Sequence, residues 1–262
     1  LTLQAYFRGQ FNFSQNMWSH FEFTIDTEDF LNEQLFDTTT SEFKIDELSL
    51  IFRGSGSSVS NYFSIFMGTY DPIGSDIFLQ RYFSIQPIAS KLSESWLGLS
   101  GSILYPHFGV GICDVLRFYK QPLALGLYAY VNHENLIYFD SEKHFVANAD
   151  LRFSGVYRFF TFDIAAGIGV PLNNKYKGEE AFVVIDKLYW HAGTTLLLGN
   201  NYTQALYIQA GIFNVPFTKK TSTITLNTES IYLLVEPRFV FNNVHINLSV
   251  FSLQNYIFFH NK

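Results

Sequence analysis

Charge is scarce in this chain: 15% of its 262 residues are Asp, Glu, Lys or Arg, against about 25% in an ordinary soluble domain. Basic residues number 17 and acidic ones 23, a net charge of −6. No cluster of Lys and Arg stands out, so nonspecific nucleic-acid binding is disfavoured. A single cysteine, Cys113, excludes an internal disulfide framework and the small stapled folds that depend on one.

Long apolar runs are missing too. The longest uncharged stretches are 95–113 and 188–218. Gly98, Gly101, Pro106, Gly109 and Gly111 interrupt the first, and Gly193, Gly199, Asn200, Asn201 and Pro216 the second. Neither supplies the roughly 20 apolar residues that a spanning helix needs, and a mean hydropathy of +0.09 also argues against a helical membrane protein. The chain opens at Leu1 without a basic and apolar leader, which leaves a removed signal or a longer parent chain as the two readings.

Motifs of catalysis are equally sparse. No G-x-S-x-G elbow occurs, and GSGS at 54–57 has the wrong spacing. Gly109 with Gly111, and Gly167 with Gly169, begin a dinucleotide fingerprint without completing it. Seven histidines include no H-x-x-x-H pair, so no metal and no cofactor is expected, and His20, His191 and His245 read as polar interior residues. The chain does not read as an enzyme. A lipid-processing barrel enzyme is the alternative, its residues recognisable only in space.

What is abundant is aromatic: 29 Phe and 16 Tyr, a composition suited to a protein whose solvent is partly lipid. These residues are also patterned. In 145–170, Phe145, Ala147, Ala149, Leu151 and Phe153 alternate with Val146, Asn148, Asp150, Arg152 and Ser154. After a break at 155–158, Phe160, Phe162, Ile164, Ala166, Ile168 and Val170 alternate with Thr161, Asp163, Ala165, Gly167 and Gly169. Strand side chains point to opposite faces in turn, so this is a hairpin with one greasy and one wet face. Each run is about 9 to 11 residues, enough for a tilted strand to cross a bilayer.

The unit recurs at 1–13 and 17–26, at 97–103 and 108–112, at 123–132, at 188–198 and 206–212, and at 231–250. In FKIDELSLIF the apolar parity shifts between Ile45 and Leu48, which predicts a β-bulge near Asp46 or Glu47. Pro237 marks its run as an edge or locally irregular strand. Residues 172–181 read as the clearest hydrophilic loop. Residues 71–94 break the alternation; they read as a loop folded into the interior or as an irregular strand with a surface loop. Trp18, Trp96, Trp190, Tyr105, Tyr202 and Phe241 lie near strand ends and are candidates for interfacial girdles.

Tight connections (SQN at 14–16, GNN at 199–201) alternate with long ones (27–42, 133–144, 172–181). In this the chain resembles the porin-like bacterial outer-membrane β-barrels, over essentially its whole length and by pattern. Tyr256, Phe258 and Phe259 approximate the terminal aromatic on which such barrels close, with His260, Asn261 and Lys262 following. The resemblance implies an all-β, antiparallel up-and-down transmembrane barrel of about 14 strands, with 12 and 16 open. It implies one domain over 1–262, a bacterial outer-membrane location, and lipid and small hydrophilic solutes as partners.

With the apolar face toward lipid, the other face lines the interior. That set includes Arg8, Glu22, Asp150, Arg152, Asp163, Lys187, His191, Glu236, Arg238 and His245, which would govern permeation by electrostatics. Asp71, Asp76 and Arg81 are the candidates for a constriction loop. The competing reading is that acid and base neighbours, such as Asp150 with Arg152, only neutralise one another. Two functions follow: a channel for small hydrophilic solutes, or a closed structural or adhesive outer-membrane barrel that anchors or contacts a partner protein assembly, with a homo-oligomer or an outer-membrane partner protein as the further partners to expect. A soluble β-sandwich would bury the apolar face instead.

Overall fold

A computed structural model describes residues 3–27, 41–73, 76–85, 88, 108–135, 143–176, 179–183, 188–200, 203–217 and 231–252. The strands are β1 (Leu3–Ser14), β2 (Met17–Thr27), β3 (Ser41–Ser55), β4 (Val59–Thr69), β5 (Phe108–Phe118), β6 (Leu123–Asn135) and β7 (Lys143–Tyr157). They continue as β8 (Phe160–Tyr176), β9 (Glu179–Val183), β10 (Tyr189–Gly199), β11 (Gln204–Pro216), β12 (Ile231–Phe241), β13 (Val244–Asn247) and β14 (Val250–Phe251). Among the described residues there is one helix, α1 (Ile77–Phe83), between β4 and β5. No helix among the described residues is long and apolar enough to cross a membrane.

The 14 strands among the described residues join one antiparallel sheet in chain order, with two departures: β9 pairs with β8 alone, and β14 continues beside β12 where β13 stops. The fold is therefore all-β and up-and-down. Turns of two to four residues join β1 to β2, β3 to β4, β5 to β6, β7 to β8, β10 to β11 and β12 to β13. The opposite ends of the strands, where β2 leads to β3, β4 to β5, β6 to β7 and β11 to β12, lie on the other rim.

Which face is buried is the decisive observation. Leu151 is 49% exposed while its neighbour Arg152 is 0% exposed. The same inversion runs along β7, where Asn148, Asp150, Arg152 and Ser154 are buried and Phe145, Leu151 and Phe153 are exposed. It continues on β10, where Tyr189, His191 and Thr195 are buried and Leu198 is exposed, and on β12, where Glu236 and Arg238 are buried and Leu233 and Phe239 are exposed. A soluble sandwich would show the reverse.

The polar face is inside because the sheet curls. Phe78 and Leu79 of α1 share one buried core with Phe66 of β4, Cys113 of β5, Tyr128 of β6, Ala165 of β8, Leu197 of β10 and Tyr207 of β11. Laid flat, the strands from β4 to β11 would span roughly 30 Å at the usual spacing, whereas a seven-residue helix is only about 10 Å long. The sheet instead bends toward the helix, so that Arg81 meets Glu47 on β3, the Tyr82 carbonyl meets Arg117 on β5 and Phe78 meets Arg152 on β7. On the outside, Phe7 stacks on Phe23 at 4.7 Å and Phe11 on Phe21 at 5.4 Å between ring centroids. The ring of Phe21 lies over Gly9 and that of Phe162 over Gly155, each covering backbone that a Cβ would occupy.

The bulge falls where the parity shift predicts it. Glu22 pairs with Glu47 and Phe23 with Ile45, leaving Asp46 as the extra residue. Gly68, opposite Glu47 at φ 94°, accommodates the protruding Asp46 carbonyl, which any Cβ would strike.

Pro237 also leaves its mark. Its carbonyl accepts from the Leu248 N–H at 3.2 Å, and a residue so placed on an antiparallel strand would donate its own N–H back to the same neighbour. Proline has none to donate. The break between β13 and β14 sits opposite this position.

Three sequence expectations require correction. Residues 172–181 are not a loop: β8 runs through them to Tyr176 and pairs with β9, Lys175 opposite Glu180. Residues 172–181 carry no apolar alternation in sequence, so the pattern announces no strand there. Within 71–94, residues 77–83 form a helix, which neither reading anticipated; residues 74–75, 86–87 and 89–94 lie outside the described set. Trp18 is paired with buried Ile51 and packs edge-on against Tyr62 at 6.3 Å, so it belongs to the inner face and to no outer girdle. Trp190 and Phe241 do occupy the outer parity. Trp96, Tyr105, Tyr202, Lys187 and the strand expected at 97–103 lie outside the described residues.

Candidate functional site

The inner face collects polar side chains because every second residue of each strand must point there, and α1 adds its own charges to the middle of the set. Alternation on β7 and β8 places Arg152 beside Asp163. The guanidinium binds the carboxylate with two parallel hydrogen bonds, Nε to Oδ1 at 2.8 Å and Nη2 to Oδ2 at 2.5 Å. Ser154 Oγ donates to the same carboxylate at 2.6 Å. Such a fork is the strongest geometry available to a buried pair. The remaining Arg152 Nη1 donates to the Asp71 carbonyl at 2.5 Å, and the guanidinium lies 4.2 Å from the Phe78 ring centroid.

Arg81 projects from α1 to the opposite wall. Its Nη2 donates to both oxygens of Glu47 on β3 at 2.8 and 2.9 Å, and its Nη1 to Asp71 Oδ1 at 2.7 Å. Ser49 Oγ donates to Glu47 at 2.7 Å, and Tyr128 and Tyr82 hydroxyls donate to Asp71 Oδ2 at 3.1 and 3.3 Å. Arg117 of β5 donates to the Tyr82 carbonyl at 3.3 Å and stacks on Phe83. Asp76 precedes the helix and accepts from the Ile88 N–H at 2.6 Å.

Two further groups lie along the wall. Asp150 meets His191 Nε2 at 2.9 Å and accepts from the Tyr130 hydroxyl at 3.1 Å. Gly167 sits over this pair, and a Cβ there would collide with the Asp150 carboxylate and the His191 ring. Nearby, Asn148 donates to Asn132 at 3.1 Å and accepts from Tyr189 at 3.3 Å. On β12, Arg238 binds Glu236 at 2.8 Å and lies 4.6 Å from the Tyr207 ring, with Ser249 donating to the second oxygen of Glu236.

The candidate residues therefore fall into distinct neighbourhoods. Asp71, Arg81, Arg152 and Asp163 converge on the helix; Asp150 and His191 form a second group; Glu236 and Arg238 form a third. Glu22 joins Arg8 at 3.0 Å and His20 at 2.8 Å in a fourth, where Arg8 is largely exposed. His245 is exposed on β13. Asp150 and Arg152 do not pair with each other, although they share a face two residues apart: each finds its partner across the sheet, His191 and Asp163 respectively. Among the described residues no group of three or more His, Cys, Asp or Glu is placed to hold a metal ion.

Sequence reasoning missed Glu47, Tyr128, Tyr130 and Phe78 as members of this site. For Glu47 the signal was present, since the parity beyond the bulge puts it on the face of Ser49 and Ile51. Tyr128 and Tyr130 stood on the wet parity of β6. Nothing in the alternation announced Phe78, which reaches the interior by way of a helix.

Fold and site together define a many-stranded, all-antiparallel, barrel-like β-sheet around a polar interior that encloses a short helix. No protein-family model matches the chain, and no curated protein matches its sequence.

Proposed function

We propose that the protein is a bacterial outer-membrane β-barrel that gives small hydrophilic solutes a route along its polar interior. The observation that carries this reading is the inversion of faces: a Phe-rich surface turned outward over a wall that buries Arg152, Asp163, Asp150, His191, Glu236 and Arg238. In water such an outer surface is costly, because apolar area exposed to solvent loses about 25 cal/mol per Å². Against hydrocarbon it is the favoured arrangement, and the rims with their short turns and long loops suit the two sides of an outer membrane. Lipid is then the obligatory partner, and the interior charges act on solutes by electrostatics.

A second reading, a closed barrel that anchors or contacts a partner protein, is favoured by one observation: the packing of α1 against the inner wall. Planar bilayers separate the two. Purified protein should give discrete conductance steps, and charge reversal at Arg152 should shift ion selectivity. Silence from protein of verified fold, even with α1 loosened, would retire the channel in favour of the closed barrel.

A further inference from the structure

We propose that the rim carrying the short turns is an anion-selective mouth, through which small carboxylate- or phosphate-bearing solutes enter the interior. The inference rests on the solute-route reading and names its substrate class. It starts from the sequence of the turns. None of the six short connections, 15–16, 56–58, 119–122, 158–159, 200–203 and 242–243, contains Asp or Glu, while two of them supply Lys120 and Arg158, both exposed. Arg53 and Arg117 stand near the ends of β3 and β5. Their parity is that of buried Ile51 on β3 and of buried Cys113 and Val115 on β5, so both belong to the inner face. Register puts them on either side of β4, Arg53 opposite Tyr62 and Arg117 opposite Ser60. Two strand spacings, about 10 Å, separate their strands.

Among the described residues none of these four cations has a carboxylate partner. Arg53 lies over the Tyr62 ring at 5.8 Å, and its Nε is buried without a hydrogen-bond partner. Arg117 donates to the carbonyls of Tyr82, Phe118, Gln121 and Leu123, dipoles that hold the side chain and leave its charge uncancelled. Arg158 stacks on Phe159 at 4.9 Å. Three acids deeper on the inner wall already face an arginine: Glu47 meets Arg81, Asp163 meets Arg152 and Glu236 meets Arg238. Asp114 on β5 has the outer parity, where it accepts from Asn61 at 2.5 Å. At the other rim the signs are mixed: Lys44 lies 3.5 Å from Asp46, and Lys175 pairs in register with Glu180.

An uncompensated positive rim raises the local concentration of anions, because low-dielectric walls focus its field into the opening. Screening confines that field to about 8–10 Å at ordinary salt, so charges at the mouth count for more than the chain's net −6. Net charge alone would favour cations; the arrangement favours anions. Guanidinium groups add a preference among anions, since their forked donors match the paired oxygens of carboxylate and phosphate.

The full chain, folded in detergent with heat-modifiable mobility verified for each variant, is recorded in planar bilayers under a potassium chloride gradient. Wild type should be anion-selective, and the preference should fade between about 0.1 and 1 M salt as the screening length shrinks. Lys120→Glu and Arg158→Glu lie in exposed turns and should each lower the chloride-to-potassium permeability ratio, together by about fivefold or more. Lys44→Glu at the other rim makes the same change in net charge as either turn variant and should have a clearly smaller effect. Added inorganic phosphate should reduce the chloride current of wild type more than that of the double turn variant. Cation selectivity in wild type overturns the inference, as does a permeability ratio that the turn variants leave unchanged. An equal effect of Lys44→Glu, or equal sensitivity to phosphate in wild type and the double variant, overturns it too. In each of these cases the solute route stands. Folded protein that never conducts removes the route, and the inference with it.

Discussion

Arg152 shows what this interior demands of a single residue. A fully buried guanidinium is tolerated because Asp163 accepts two of its donors and the Asp71 carbonyl a third. Removing it alone leaves Asp163 buried without its counter-charge, whereas replacing both partners by apolar groups removes the problem with the pair. Arg152→Met should therefore lower stability by about 3–5 kcal/mol, and Arg152→Met with Asp163→Leu should recover most of that loss. Denaturation of the two variants and wild type in the same detergent checks it; equal losses in single and double variants would count against the pairing.

The elements respond to backbone chemistry that side-chain pattern only partly reveals. The strand interrupted between β13 and β14 is a case: the interruption lies opposite a proline that accepts from Leu248 and cannot donate in return. In Pro237→Val the new N–H should close that bond, and hydrogen exchange should find the amide at 237 protected with β13 and β14 joined. An unprotected amide there would mean that the break has another cause. The bulge at Asp46 was legible because one extra residue flips the parity of everything after it. The β8–β9 hairpin was not, since residues 172–181 carry no apolar alternation to mark a strand. Helix α1 was illegible for a related reason: seven residues carry too few turns for a 3.6-residue period to show, and the apolar Phe78, Leu79 and Tyr82 are interleaved with Arg81.

At the scale of the whole molecule, the question is which solvent meets the outer face. In water an exposed Leu151 exchanged for Arg changes little, but at the middle of a bilayer it should cost about 2–4 kcal/mol. Leu151→Arg measured by refolding into lipid vesicles therefore tests the membrane assignment directly. A loss within about 0.5 kcal/mol, the range of ordinary surface substitutions, would contradict it. Wild-type protein should also need detergent to remain monodisperse.

Composition and alternation by themselves determined an all-antiparallel sheet with one apolar and one charged face, because strand geometry sorts side chains by parity whatever lies on either side. They also determined most of the inward-facing set, Arg152 and Asp163 among it. Parity is blind to inside and outside, so only the curl of the sheet decided that the charges are buried and the phenylalanines exposed. Pairing is likewise a property of three dimensions. Register brought Asp150 to His191 and Arg152 to Asp163, and the path of the chain after β4 carried Arg81 across the interior to Glu47.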